Sequence, residues 1–267
     1  MTHDHLSELL DLDAEVLHAH ITELTGWIRS RAGTVEDVLD LGAGTGTGTF
    51  ALLREFPRSK VTAVDADPEM LERLAAKARS LDLAERVRTV PADLDTGWPD
   101  LSPVDVAWAS ASMHHMADPD ATLARVHATL RPGGIFAVVE LNSFPRFLPT
   151  SVGDGLEDRV NAVVDAERAR RHVHIDTDWP AHFVKAGFAV EEERTFALSI
   201  EPPVPAVARR YAEVTLQRIR HGIGELLDPR DAAALDALLD PGRPESVQRR
   251  DDLSVRTTRH AWLLRRA

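Results

Sequence analysis

The sequence predicts an α/β fold, a mostly parallel sheet with helices on both faces. Three observations predict it. Short apolar runs (Val38–Leu41, Val61–Val64, Val87–Val90, Val104–Ala109 and Ile135–Leu141) alternate with helix-patterned segments. A glycine-rich stretch, "GAGTGTG", follows the first run directly. An acid closes the second run, Asp65, and another stands just past the third, Asp93.

Each element has a local reason. Leu17, Ile21, Leu24 and Ile28 recur at amphipathic spacing, so residues 4–32 are expected to form one helical cover with Asp13 as N-cap. The strand Val38–Leu41 leads through the glycines into a helix over Thr49–Phe56. Val61–Val64 is followed by "DADPEMLERLAAKARSL", a helix capped by Asp67 with Pro68 at its first position. Val87–Val90 and Val104–Ala109 are strands, Pro119–Leu130 a helix, and "RPGG" breaks the chain before Ile135–Leu141. The pattern then changes. A helix over Leu156–His172 lies in an insertion, and "DWPAHFVKAGF" is a helix capped by Asp178 and stopped at Gly187. Phe188–Ile200 reads as a strand, residues 205–251 as a helical insertion, and "LSVRTTRHAWLLRR" as a closing strand. The expected division is 1–34 as cover, 35–142 as ligand-binding core, 143–177 as a lid insertion, and 178–267 as the rest of the core.

Hydrophobic residues at 43% and charged residues at 28% fit a soluble globular chain. No apolar run approaches the ~18 residues of a membrane span, and "MTHDHLSELLDLD" is unlike a signal peptide. The chain has no cysteine, which excludes disulfides, thiolate–zinc sites and cysteine catalysis. A cytoplasmic location is expected. A net charge of −12 argues against a nucleic-acid partner. The arginine clusters at 168–171, 209–210 and 218–220 read as solvated helix faces.

The spacing of the glycines separates the ligands that such a turn can hold. A triphosphate loop needs a lysine after the glycines, and none occurs between Arg29 and Lys60. The dinucleotide fingerprint wants a small residue where Thr47 or Thr49 stands. Acid-x-Gly-x-Gly-x-Gly fits in full: Asp40, Gly42, Gly44 and Gly46.

With these residues the chain resembles the class I S-adenosylmethionine-dependent methyltransferases. "VTAVDADPEML", "VPADLD", "VDVAWASASMHHM" and "LRPGGIFAVVE" are similar to the second to fifth strands of that family. The resemblance is close over about 38–141. It implies a Rossmann-like sheet of seven strands with the last reversed, and S-adenosyl-L-methionine as cofactor, leaving S-adenosyl-L-homocysteine. It also implies a cofactor pocket built from Asp40, Gly42, Ala43, Gly44, Gly46, Asp65, Ala66, Met70, Ala92, Asp93, Leu94, Ala109 and Ser110. In it Asp65 would accept the ribose hydroxyls, Asp93 would meet the adenine amino group, and Asp40 would face the cationic methionine end. Asp65 alone would serve a dinucleotide equally well. Asp93 has an Asx-turn alternative, and Met70 a core-filling one.

For a hydroxyl acceptor, whose proton must leave, the candidate bases are His115, His114 and Glu140. No metal is expected: Glu140 with Asn142 lacks a carboxylate partner, and "RHVHID" (171–176) is weak as a ligand set. Trp179, Phe183, Tyr211 and "SFPRFLP" (143–149) supply apolar groups for a lid over a closed chamber, or are plain core. The expected partner is a small-molecule methyl acceptor, with no nucleic acid and no membrane; a homodimer is left open. The alternatives are a nicotinamide oxidoreductase using NAD(P) and a non-catalytic cofactor-binding regulator.

Overall fold

Strands β1 (Asp37–Leu41), β2 (Lys60–Asp65), β3 (Val87–Pro91), β4 (Val104–Ser110), β5 (Leu130–Leu141), β6 (Phe188–Ile200) and β7 (Val255–Arg266) form one sheet in the computed structural model, which describes residues 3–170 and 177–267. Their order is β3-β2-β1-β4-β5-β7-β6. β1 to β5 are parallel, with Val38 beside Val61 on one side and Val106 on the other. β7 is reversed: Asn142 N–H donates to the Thr258 carbonyl (3.1 Å), and Arg146 bridges Arg256 in antiparallel sense. The strand order turns back between β1 and β4, and in parallel sheets that switch point opens the crevice for a ligand.

The helices are α1 (His3–Val16), α2 (His18–Arg31), α3 (Thr47–Glu55), α4 (Pro68–Ser80), α5 (Pro119–Thr129), α6 (Leu156–Arg170), α7 (Trp179–Lys185), α8 (Ala206–Ile223) and α9 (Pro229–Leu239). α4 starts as its sequence dictates: Asp67 accepts the Glu69 N–H (2.9 Å) and Pro68 occupies the first turn. α5 starts likewise on Asp118, which accepts the Ala121 N–H at 3.0 Å.

Three local expectations are corrected. The single cover helix is two helices, because Leu17 leaves helical geometry (φ −102°, ψ 21°) and turns its side chain into the core. Asp13 therefore lies inside α1, where its carboxylate accepts from the Tyr211 hydroxyl and from Arg259 (3.2 Å). "RPGG" does not precede the strand but bulges within it. Leu130 already pairs with Val104, and pairing resumes at Val106 with Ile135, leaving three extra residues on β5. Asp178 stands at the N-cap position of α7 without capping through its side chain.

The chain divides into two compact units. The first comprises Leu17–Leu141, His174–Phe196 and His260–Ala267, with a core of Leu39, Leu41, Ala107, Phe136, Val138, Trp179, Phe183 and Trp262. The second comprises Met1–Val16, Asn142–Val173 and Ala197–Arg259. It buries Phe147, Leu156, Val160, Tyr211 and Leu235, and the Phe147 and Tyr211 rings meet edge to face at 5.3 Å. Trp179, Phe183 and Tyr211, the aromatics read as lid groups or core, are core.

Candidate active site

The switch-point crevice is lined by the turn after β1. Gly42, Gly44 and Gly46 take φ of +67°, +52° and +91°, a region that suits glycine. At Gly42 the need is also spatial, since a Cβ there would lie 2.5 Å from the Ser112 Cβ. Ser112 is fixed by donating to the Leu41 carbonyl at 2.9 Å. The N–H groups of Gly42 and Ala43 both donate to the Val64 carbonyl, at 2.9 and 3.1 Å, which ties the turn to the end of β2.

Asp65 ends β2 and binds the turn a second time. Its Oδ2 accepts the Gly44 N–H (2.8 Å) and its Oδ1 the Asp67 N–H (2.9 Å). Each carboxylate oxygen keeps a second accepting lone pair. The Ala92 N–H donates to the Asp65 carbonyl (2.9 Å), drawing the end of β3 alongside. Asp93 is exposed and accepts the Asp95 N–H at 3.0 Å, the Asx turn that was its alternative. Met70 and Leu94 are buried side chains, and Leu94 belongs to the core; Ala66 and Ser110 are exposed, and Ala109 is buried.

Asp40 is 2% exposed and accepts from the Thr49 hydroxyl at 2.6 Å. Burial pushes its carboxyl up to about 7; the nearby Asp65 charge adds to the shift and the Thr49 bond opposes it. The folded state therefore holds this proton to higher pH than the unfolded chain, whose carboxyl titrates near 3.8. The stability this gives is complete below that value and is lost as pH rises through about 7. Asp40→Asn should thus raise the melting temperature at pH 8, by a few kcal/mol of stability at roughly 1.36 kcal/mol per unit. The gap should close toward pH 4. Thermal unfolding at pH 4.5, 6 and 8 checks this, and a gap independent of pH would refute it.

β4 and β5 bring the other candidates together. After Ser110 the chain turns through Ala111 (φ +53°), whose N–H donates to the Val139 carbonyl (2.8 Å), into a short helical turn, Met113–His115. Glu140, near the end of β5, accepts the Met113 N–H on Oε1 (2.9 Å) and meets His114 Nδ1 with Oε2 at 2.5 Å. The two side chains of this pair are 2% and 4% exposed. Glu140 is thus no free carboxylate. With it ionised, Nδ1 carries the imidazole proton and Nε2 is left as the basic nitrogen. His115 is exposed, its ring 4.0 Å from that of His114.

Sequence reasoning missed two neighbours of the turn. Ser112 is one. The other is Trp108, beside Asp40 in the β1–β4 register, whose Nε1 would lie 2.4 Å from a Cβ at Gly48. Gly48 is small for that reason, a signal hidden among the other glycines. Among the described residues no cluster of three or more His, Asp or Glu is arranged to hold a metal; "RHVHID" lies outside those residues. None of the described helices is long and apolar enough to cross a membrane.

Fold and turn together define an α/β protein with a crevice at the switch point of its sheet, bordered by a glycine turn, Gly42–Gly46, that carries no lysine or arginine. The family model for a methyltransferase domain matches residues 39–136. The chain is 29% identical over 206 residues to 27-O-demethylrifamycin SV methyltransferase of Amycolatopsis mediterranei, covering 74% of this chain and 70% of that one. It is 29% identical over 222 residues to malonyl-[acyl-carrier protein] O-methyltransferase of Laribacter hongkongensis, covering 77% and 70%. A solved methyltransferase from Thiobacillus denitrificans, in complex with S-adenosyl-L-homocysteine, superposes with a TM-score of 0.50 at 20% identity, over 91% of this chain and 90% of that one. These comparisons support a class I methyltransferase that uses S-adenosylmethionine. The residues fit it: a turn of positive-φ glycines without lysine or arginine, and beside it the Asp65 carboxylate, which keeps accepting lone pairs after binding the Gly44 and Asp67 N–H groups. The nicotinamide reading is set aside.

Proposed function

We propose that this enzyme transfers a methyl group to a hydroxyl of a small organic acceptor, with His114 as general base and Glu140 fixing its tautomer. The observation that carries the proposal is the buried 2.5 Å His114–Glu140 contact. The bound cofactor supplies an already activated methyl group on its sulfonium. The chain's own work is to orient the partners and to take up the proton. Positioning contributes ~7–11 kcal/mol at best, and a general base ~10²–10⁴-fold.

Asp65, anchored by Gly44 and Asp67, offers its remaining lone pairs to the ribose hydroxyls. Asp40 faces the cationic methionine end. Ala66, Met70, Ala92, Asp93 and Leu94 border the adenine, and Ala109 and Ser110 the methionine. An acceptor oxygen is supported by the names of both relatives above, one giving an O-demethylated compound and the other an O-methyltransferase. A second reading makes His115 the base, favoured by its exposure.

The test is calorimetric titration with S-adenosylhomocysteine and with NAD. Release of S-adenosylhomocysteine from S-adenosylmethionine is then measured against a panel of alcohols, phenols, hydroxy acids and amines. Binding of the first ligand alone and turnover of a hydroxyl acceptor are expected. Turnover of amines only would overturn the hydroxyl reading. Cofactor binding with no turnover would favour the non-catalytic regulator.

A further inference from the structure

β7 brings a third histidine to the face of the sheet that carries Glu140. The Asn142 N–H bond to the Thr258 carbonyl (3.1 Å) sets the antiparallel register between neighbouring strands β5 and β7. Carried two residues into the strands, that register places Glu140 opposite His260, then Val138 opposite Trp262 and Phe136 opposite Leu264. These last four side chains belong to one core, which puts them on one face of the sheet. Directly opposed side chains have Cβ atoms about 4.5–5.5 Å apart. His260 is therefore the cross-strand neighbour of the carboxylate that holds His114.

Along this face of β7, Leu264 and Trp262 are buried and His260 is half-buried, so the face opens to solvent at His260. Its ring lies edge-on to Trp262, centroids 5.8 Å apart. Both oxygens of Glu140 are occupied by Met113 and His114, so His260 is not needed to satisfy that carboxylate. Among the described residues no side chain hydrogen-bonds its ring. The buried pair is thus flanked by two more accessible histidines, His115 on the turn after β4 and His260 on β7.

We propose that His260 is an acceptor-binding residue, lining the methyl-acceptor pocket across the His114–Glu140 pair from His115. An imidazole can donate and accept at once, so the acceptor class it suits carries a second oxygen function beside the hydroxyl that is methylated, as in a diol or a hydroxy acid. The proposal rests on the reading that His114 and Glu140 serve the acceptor.

Two arms test it. Because the chain has no cysteine, the double variant His115→Cys/His260→Cys offers two unique thiols. With S-adenosylhomocysteine bound, a short bifunctional thiol reagent should join them within one chain. Single variants that label readily, with no bridge in the double variant, would overturn the shared pocket whatever the acceptor.

The second arm uses the acceptors turned over in the panel above. His260→Phe keeps a ring against Trp262 but loses the hydrogen bond, and should raise acceptor KM ~10- to 100-fold. The change in kcat and in S-adenosylhomocysteine affinity should be small. His260→Asn should recover part of the loss, which a packing role would not allow. Acceptors with a single oxygen should lose little. Wild-type KM in His260→Phe, or a loss equal for all acceptors, would overturn the assignment. Absence of turnover in the unaltered enzyme would count against the hydroxyl-transfer reading instead, and the cross-linking arm would still decide whether the two histidines share a pocket.

Discussion

His114→Ala should lower kcat for a hydroxyl acceptor by about 10²–10⁴-fold, the range over which a positioned base accelerates proton removal. Affinity for S-adenosylhomocysteine should stay within a few-fold, since the ring meets Glu140 and His115 rather than the glycine turn. The effect must be separated from loss of structure. Truncation leaves a buried carboxylate oxygen without its partner, and an unpaired buried polar group costs about 1–3 kcal/mol, more when charged. Glu140→Gln is the companion variant. Its amide oxygen can still accept the Met113 N–H, while the charge that favours the Nδ1–H tautomer is gone. It should fold, bind cofactor and turn over slowly. Steady-state kinetics with melting curves on both variants decides. Full turnover in His114→Ala together with collapse in His115→Ala would transfer the role to His115.

Asp65→Ala should weaken S-adenosylhomocysteine binding at least ~100-fold. Hydrogen bonds to a charged acceptor contribute about 1.5–3 kcal/mol each, and every 1.4 kcal/mol is tenfold in affinity. The loss has a second source. The same carboxylate receives the Gly44 and Asp67 N–H groups, so its removal frees the turn that the ligand needs ordered. Asp65→Asn retains one accepting oxygen and should fall between the two. Calorimetry reads all three proteins, and an Asp65→Ala affinity within threefold of the parent would sink both the ribose role and the turn's importance.

Much of this was legible in the sequence because it is local. Glycines with positive φ, Asp67 capping α4 beside Pro68, and Asp65 at the end of a strand all follow from rules that act over a few residues. The cofactor and the reversed last strand came with the resemblance those residues carry. The His114–Glu140 pair was legible only as a set of candidates. Its union depends on the β4–β5 register, with Ser110 beside Val139, and on a three-residue bulge that spacing does not reveal. The break at Leu17 was hidden because both helices continue the same apolar pattern. Ser112 and Trp108 matter through the volume they occupy next to a glycine, which becomes visible once the backbone is placed.

The position of β7 has a consequence for how the molecule is made. In order of synthesis it follows both β5 and β6, yet in the sheet it lies between them. Until residues 255–266 have left the ribosome, β5 and β6 have no neighbour to join them and each presents an unpaired edge. Native pairing there must wait for contacts distant in sequence, which slows folding. The nascent chain is accordingly exposed to mispairing until β7 emerges, because β5 and β6 are both made before the strand that separates them.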